Sequence, residues 1–378
     1  MPGLAENFSV YLGDYGVKAF AILLLLINLR EIGELFKYSK IKSIIVVGLL
    51  LFIYRAFHAT SQAEQQLLPL ISLLWLIIVY LSIKTKKHFE IFIFCLYVSS
   101  CIVLFSPGIE RIFDFSRIGF SDSRSVNALT GIANHYIIYA QMAIISFYLS
   151  LYYFIKLKSK SIKFLLIIII TTNLIAIITS GSRGAILAFL ISVIFLLQKN
   201  KKLILRNKFK FGLLFFVSVL VLFLTIPLDS IFLSFESVYT KSDKSSLKRL
   251  ELYFFSLNSF YNAPLFGNGW DYIRLTKGLP AHTLILQLLA ELGIVGLLLE
   301  FFIYNRLFSL FRSLKSKLFR YDKKSFYGIT ILLSLITALG VWSLFENIGF
   351  VFGTRQLYIV TALIMCFYKI NYSRVIES

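Results

Sequence analysis

The chain has 378 residues, 58% of them hydrophobic and only 15% charged, with a mean hydropathy of +0.80 and a formal net charge of +20. Soluble globular domains carry about a quarter charged residues, so this composition excludes an ordinary water-soluble core. The excess of positive charge does not point to nucleic acid, because it is spread as short lysine clusters between apolar runs.

Apolar stretches fall near 12–29, 43–58, 67–83, 89–106, 133–155, 164–180, 184–198, 211–228, 284–304, 326–345 and 350–368. A bilayer core needs roughly 20 apolar residues and tolerates no unsatisfied backbone, so these stretches predict about eleven spanning helices, or twelve if 4–27 divides differently. The expected fold is all-α and polytopic, one integral membrane domain over 1–378. The first apolar run follows Asp14 and Lys18 without a small-residue cleavage site, so no cleavable signal is expected. Cys95, Cys101 and Cys366 fall in apolar runs and read as small buried hydrophobes. Their spacing supports neither a disulfide framework nor a zinc site, and no metal is expected.

The connectors alternate in lysine content. Lys37, Lys40 and Lys42 form one cluster; Lys84, Lys86 and Lys87 the next; then Lys156, Lys158, Lys160 and Lys163; then Lys199, Lys201, Lys202, Lys208 and Lys210; then Lys315, Lys317, Lys323 and Lys324. The positive-inside rule assigns these to the cytoplasm, with the N-terminus outside and the C-terminus inside. Basic residues of the opposite connectors are mostly arginines: Arg55, Arg111, Arg117, Arg124, Arg183, Arg249, Arg274 and Arg355. Arginine grips phosphate with a planar two-pronged donor set, so an arginine-rich outer face suggests an anionic ligand there. Pairing with lipid headgroups or acidic neighbours is the plainer alternative.

The longest connector, 229–283, has about 55 residues and lies on the outer side; long ordered loops in compact proteins are usually functional. Within it 247–261 is amphipathic, with Leu250, Phe254, Leu257 and Tyr261 on one side, which predicts a helix lying over the membrane surface. His282 closes this loop just before the next apolar run. Imidazole titrates near neutrality and suits proton transfer, although a lone histidine at a helix start is often a cap. Around it stand Arg249, the turn Pro264-Leu265-Phe266-Gly267-Asn268-Gly269, and Glu291-Leu292-Gly293-Ile294-Val295-Gly296 downstream. Gly267 and Gly269 permit tight turns. A second cluster, Ser180-Gly181-Ser182-Arg183-Gly184, joins two apolar runs by too short a link for a loop. It predicts a hairpin that sets Arg183 at the outer surface, where binding an anion and snorkelling to the interface both remain open.

In these motifs and their order the chain resembles the superfamily of O-antigen ligases and O-antigen polymerases of bacterial surface-polysaccharide assembly. The resemblance rests on Ser182-Arg183-Gly184 after an apolar helix, Arg249, 264–269, and His282 with Gly293 and Gly296 behind it; it covers about 180–300. It is weaker at 131–141 and at Gly353-Thr354-Arg355. Thr283 departs from the amide or serine that more often follows the histidine, with little consequence expected because threonine also bonds locally.

The resemblance implies a membrane fold of the GT-C type with one large periplasmic loop, in the bacterial inner membrane, with the active site periplasmic. It implies a glycosyltransferase that takes a glycan from undecaprenyl pyrophosphate without nucleotide sugar, ATP or metal, and so needs no cofactor. A ligase passes the glycan to lipid A-core; a polymerase passes it to another lipid-linked repeat, and 346–357 and 125–141 look closer to the ligases. The matching positions imply His282 as the catalytic residue, and Arg183 and Arg249 as pyrophosphate-binding residues, with Arg355 joining them; Arg124, as another arginine of the outer face, is assigned to the same pyrophosphate. Ser182, Gly184, Gly267 and Gly269 would form supporting turns; Asp271 and Glu346 are outer carboxylates available to orient His282 or an arginine, and the sequence does not place them. Nucleic acid is not an expected partner. A flippase or other transporter would show several ionisable residues deep in helices and often internal repeats; only Glu291 and Glu300 lie inside apolar runs, and no repeat is visible.

Overall fold

The computed structural model describes residues 32–57, 63–106, 136–180, 182–199, 244–281, 283–321, 323–344 and 355–376. Among them the chain forms twelve helices and no strand: α1 (Gly33–Lys37), α2 (Ser39–Phe57), α3 (Ala63–Ser82), α4 (Lys86–Phe105), α5 (Tyr136–Lys156), α6 (Lys160–Thr179), α7 (Arg183–Lys199), α8 (Lys244–Asn262), α9 (Tyr272–Lys277), α10 (Leu284–Tyr321), α11 (Lys323–Trp342) and α12 (Arg355–Ile376). Nine of the eleven predicted stretches coincide with helices; the other two, 12–29 and 211–228, lie outside the described residues. Five helices contain segments long and apolar enough to cross a membrane: α4, α5, α6, α10 and α11.

Polar caps set several helix starts. The Thr85 hydroxyl oxygen accepts from the His88 N–H (3.2 Å), and Ser159 and Ser182 accept from the amides of Ile162 and Ala185 in the same way. Such caps occupy amides that would otherwise be unpaired. Within the apolar layer, hydroxyls and amides turn back on their own helix, as Thr172, Asn173, Thr330 and Ser334 donate to the carbonyl four residues earlier. Each of these side chains thereby places a donor where no water can help, although Asn173 Oδ1 has no hydrogen-bond partner among the described residues.

The core forms around α5, α11 and α12, with Tyr139, Tyr148 and Trp342 fully buried. Outer faces are apolar rather than charged: Ile91, Phe94, Val98 and Ile102 follow one stripe of α4 and are exposed, as are Phe164, Leu165 and Ile168 on α6. That arrangement suits lipid, not water. It also corrects the reading of the cysteines: Cys366 is buried, but Cys101 is only half-buried and Cys95 is exposed. An apolar run on a membrane helix does not bury every member, because the outward stripe is as apolar as the inward one. All three are free thiols.

Contacts between helix ends sort the connections into two groups. Lys40 at the start of α2 donates to the Ser309 carbonyl far along α10, and Lys369 near the end of α12 donates to the Tyr80 carbonyl at the end of α3. Tyr152 at the end of α5 meets Glu90 at the start of α4. At the other end Tyr139 meets Leu104, Tyr54 meets Phe266 and Leu292, and the Leu284 N–H donates to the Ser343 carbonyl. The first group is the end that carries the lysine clusters. The second carries the long loop.

In that loop α8 forms over the segment predicted to be helical. Leu247, Leu250, Phe254, Leu257 and Tyr261 make an exposed apolar stripe. The opposite stripe, Leu252, Ser256 and Ser259, is buried. Inward-facing serines let α8 lie close on α10, and leave the bulky apolar face outward.

Candidate active site at a broken helix

The loop of 264–269 docks into a break in α10. Gly293 has φ 64° and ψ −164°, which a helix does not allow. In an unbroken helix the amides of Ile294, Val295 and Gly296 would serve the carbonyls of Ala290, Glu291 and Leu292. Here the Ala290 carbonyl accepts from the Asn268 N–H (2.9 Å) and the Glu291 carbonyl from the Gly269 N–H (3.0 Å). The Leu292 carbonyl accepts from the Tyr54 hydroxyl (2.9 Å), which also reaches the Phe266 carbonyl (3.0 Å). In return the Ile294 N–H donates to the Pro264 carbonyl (3.0 Å) and the Val295 N–H to the Leu265 carbonyl (3.3 Å). The three carbonyls and the amides of Ile294 and Val295 have thus found partners in the loop or in α2, as an apolar surrounding demands.

This pairing explains the glycines. A Cβ on Gly267 would stand 2.3 Å from the Glu291 carbonyl group, and one on Gly293 would stand 2.3 Å from the Leu265 carbonyl oxygen. Gly267 (φ 75°) and Gly269 (φ 105°) also hold left-handed backbone conformations, which side chains disfavour. So 264–269 is more than a turn; it is the other half of the broken helix. Asn268 adds a side-chain clamp, its Nδ2 donating to the carbonyls of Ser259 (2.7 Å) and Ala290 (3.0 Å) and so joining α8 to α10.

Around the break lies a small second core of Leu252, Ile273, Ala281 and Ala290, with Phe255, Tyr272 and Leu279 packed on it. It unites α8, α9 and the start of α10. Arg249 stands one turn before Leu252 on the same face of α8 and is half-buried. His282 lies outside the described residues. Its neighbours are both buried: Ala281 in the second core, and Thr283, whose hydroxyl oxygen accepts from the Leu286 N–H (3.3 Å). The local bond expected of Thr283 is thus present.

One turn into α10 begins a buried polar pair. Glu291 Oε1 accepts from Gln287 Nε2 (3.1 Å) and from the Ile273 N–H (3.3 Å). Glu291 Oε2 and Gln287 Oε1 have no hydrogen-bond partner among the described residues. Arg55 is buried with its guanidinium 3.7 Å from the centre of the Trp270 ring, within electrostatic reach of Glu291 and Asp271. A desolvated cation–π contact of this kind contributes about 2 kcal/mol.

The other sequence candidates distribute as follows. Ser182 is buried and caps α7, with Gly184 in its first turn. Arg183 and Arg355 are the first residues of α7 and α12; their side chains lie outside the described part. Arg124, Gly181 and Glu346 also lie outside it. Asp271 is engaged by Arg274 in a two-pronged ion pair, Nε to Oδ1 at 2.8 Å and Nη2 to Oδ2 at 2.5 Å. For Arg274 the acidic-neighbour alternative therefore holds. Among the described residues no group of three or more His, Cys, Asp or Glu side chains could hold a metal ion.

Sequence reasoning missed Tyr54, the Arg55–Trp270 stack and the break itself. Gly293, a glycine inside an apolar run three residues before Gly296, was the available signal for the break. Tyr54 offered none, being one aromatic residue among many.

No curated protein matches the chain. Residues 164–301 match the family model described as O-Antigen ligase, Wzy_C. The match runs from α6 through the Ser182 turn and α8 to just past the break in α10. The chain carries an O-antigen ligase (Wzy_C) family domain over residues 164–301, of a family of ligase- and polymerase-type membrane enzymes that transfer lipid-linked glycans in surface-polysaccharide assembly.

Proposed function

We propose that the chain is an O-antigen ligase-like glycosyltransferase, moving a glycan from undecaprenyl pyrophosphate to lipid A-core at the periplasmic face of the inner membrane. The observation that carries this reading is the span of the family domain, which includes Arg183, Arg249 and His282 together with both halves of the broken helix. The lysine-rich end is then cytoplasmic by the positive-inside rule, and the loop end periplasmic.

In the reaction a hydroxyl of the acceptor sugar attacks the anomeric carbon. The bond from that carbon to the pyrophosphate oxygen breaks, and its electron pair leaves with the undecaprenyl pyrophosphate. His282 takes the hydroxyl proton. Direct displacement inverts the anomeric centre. Arg183 and Arg249 hold the pyrophosphate, joined by Arg355 and Arg124, so that charge growing on the leaving group meets preorganised donors. One such donor contributes about 3 to 4 kcal/mol to transition-state stabilisation. Arg183 and Arg355 each open a helix, where the unpaired amides favour an anion as well.

Purified protein supplied with a lipid-linked glycan and lipid A-core should produce the conjugate. His282→Ala and Arg183→Ala should make none while still inserting in the membrane, and Arg249→Lys should be impaired because lysine lacks the planar fork. Normal surface glycan in cells that carry only His282→Ala would sink the catalytic assignment. Elongation of the lipid-linked glycan instead of transfer to lipid A-core would identify a polymerase, and failure with both acceptors would reopen transport.

A further inference from the structure

At the lysine-rich end, opposite the broken helix, the ends of α4, α5, α11 and α12 enclose a cavity of about 270 Å³. Its floor is apolar: Phe89 and Phe367 meet edge to face with ring centres 5.7 Å apart. Its polar rim holds Lys86, Glu90, Tyr152 and Lys156. Glu90 is already committed, paired with Lys156 and accepting from the Tyr152 hydroxyl (2.8 Å). Two ammonium groups stand against one carboxylate, so the cavity carries a single net positive charge.

We infer that this cavity is a binding site for the phosphodiester headgroup of an anionic phospholipid from the leaflet at the lysine-rich end. A phosphodiester is a monoanion and matches the one uncompensated charge, which belongs in effect to Lys86. The cavity sits where helix ends meet the lysine belt, the depth at which lipid phosphates lie, and basic pockets between helices on that side of a membrane suit anionic headgroups. The apolar floor accommodates the first methylenes of an acyl chain, and the exposed stripe of Ile91 and Phe94 on the same helix offers a track for the rest. Free phosphate shares the anionic chemistry but would gain nothing from that floor. None of the rim residues belongs to the proposed transfer machinery, so this site stands or falls apart from it.

The test uses the full chain in a neutral detergent, with phosphatidylglycerol, phosphatidylcholine or inorganic phosphate added, and bound lipid counted by native mass spectrometry. Phosphatidylglycerol should be retained in preference to phosphatidylcholine, and millimolar phosphate should not displace it. One lysine beside a phosphate layer changes affinity about fivefold. Lys86→Glu, a change of two charges, should therefore weaken phosphatidylglycerol binding roughly 25-fold. Glu90→Gln, which keeps an acceptor for Tyr152 and leaves the site more positive, should strengthen it about fivefold. Equal retention of the two lipids, displacement by phosphate, or unchanged affinity in Glu90→Gln would each overturn the inference; the last decides even if Lys86→Glu fails to fold.

Discussion

The two ends of this helical body solve opposite problems. At the loop end the backbone itself is broken, and backbone groups of a distant loop, with the Tyr54 hydroxyl, take up the carbonyls of 290–292 and the amides of Ile294 and Val295 that the break at Gly293 released. At the lysine-rich end the helices are regular, and what meets between them is side chains: Glu90, Lys156, Tyr152 and the apolar rings behind them. Backbone pairing tolerates almost no change of atom positions, because carbonyl and amide must stay within hydrogen-bond distance and no Cβ fits between. Side-chain pairing adapts, because lysine and glutamate can rotate. The first end is thus rigid by construction, the second adaptable.

The sharpest way to break this contrast is Gly267→Ala. The added carbon meets the Glu291 carbonyl group at 2.3 Å and the residue keeps φ 75°, so overpacking and strain together should cost more than about 3 kcal/mol. The thermal midpoint in detergent should collapse, and transfer with it; a midpoint near that of the unaltered protein would mean that the loop does not plug the break. Tyr54→Phe should cost less, about 2 kcal/mol, because the Leu292 and Phe266 carbonyls lose their shared donor but nothing is pushed aside. Its signature would be faster amide exchange near Gly293 without loss of the fold.

Gly278→Ala sharpens the comparison from the other direction. Gly278 has φ 74°, almost that of Gly267, but nothing lies within 4 Å of its Cβ position. Only the left-handed conformation is penalised, at about 1 kcal/mol. If Gly267→Ala and Gly278→Ala lowered the midpoint equally, conformation and not close approach would be the reason for glycine at both. Tyr152→Phe should have the smallest effect, about 1 kcal/mol or less, since Lys156 still neutralises Glu90. A larger loss there would show the lysine-rich end to be as rigid as the loop end.

Much of the fold was legible because a membrane imposes one rule on every span: about 20 apolar residues, closed on their own backbone. The helices α2 to α7 and α10 to α12 follow from that rule, and the lysine clusters sorted their ends. The amphipathic stripe of α8 was equally readable. Burial was not. Lipid-facing and core-facing stripes are both apolar, so Cys95 and Cys366 look alike in sequence and differ in place. The arginines were legible as a set but not one by one, because only the packed structure joins Arg274 to Asp271 and lays Arg55 on Trp270.

By itself, then, the sequence determined what depends on local composition: a helical membrane protein, two unlike ends, an amphipathic loop helix, and the motifs in which the chain resembles the O-antigen ligases and polymerases. The tertiary structure alone decided what depends on groups distant along the chain. Asn268 bonds to Ala290, Tyr54 to Leu292, and Gly267 and Gly293 each press against the other's strand of backbone. A glycine in a sequence records that a side chain is unwelcome; only the fold supplies the carbonyl that excludes it.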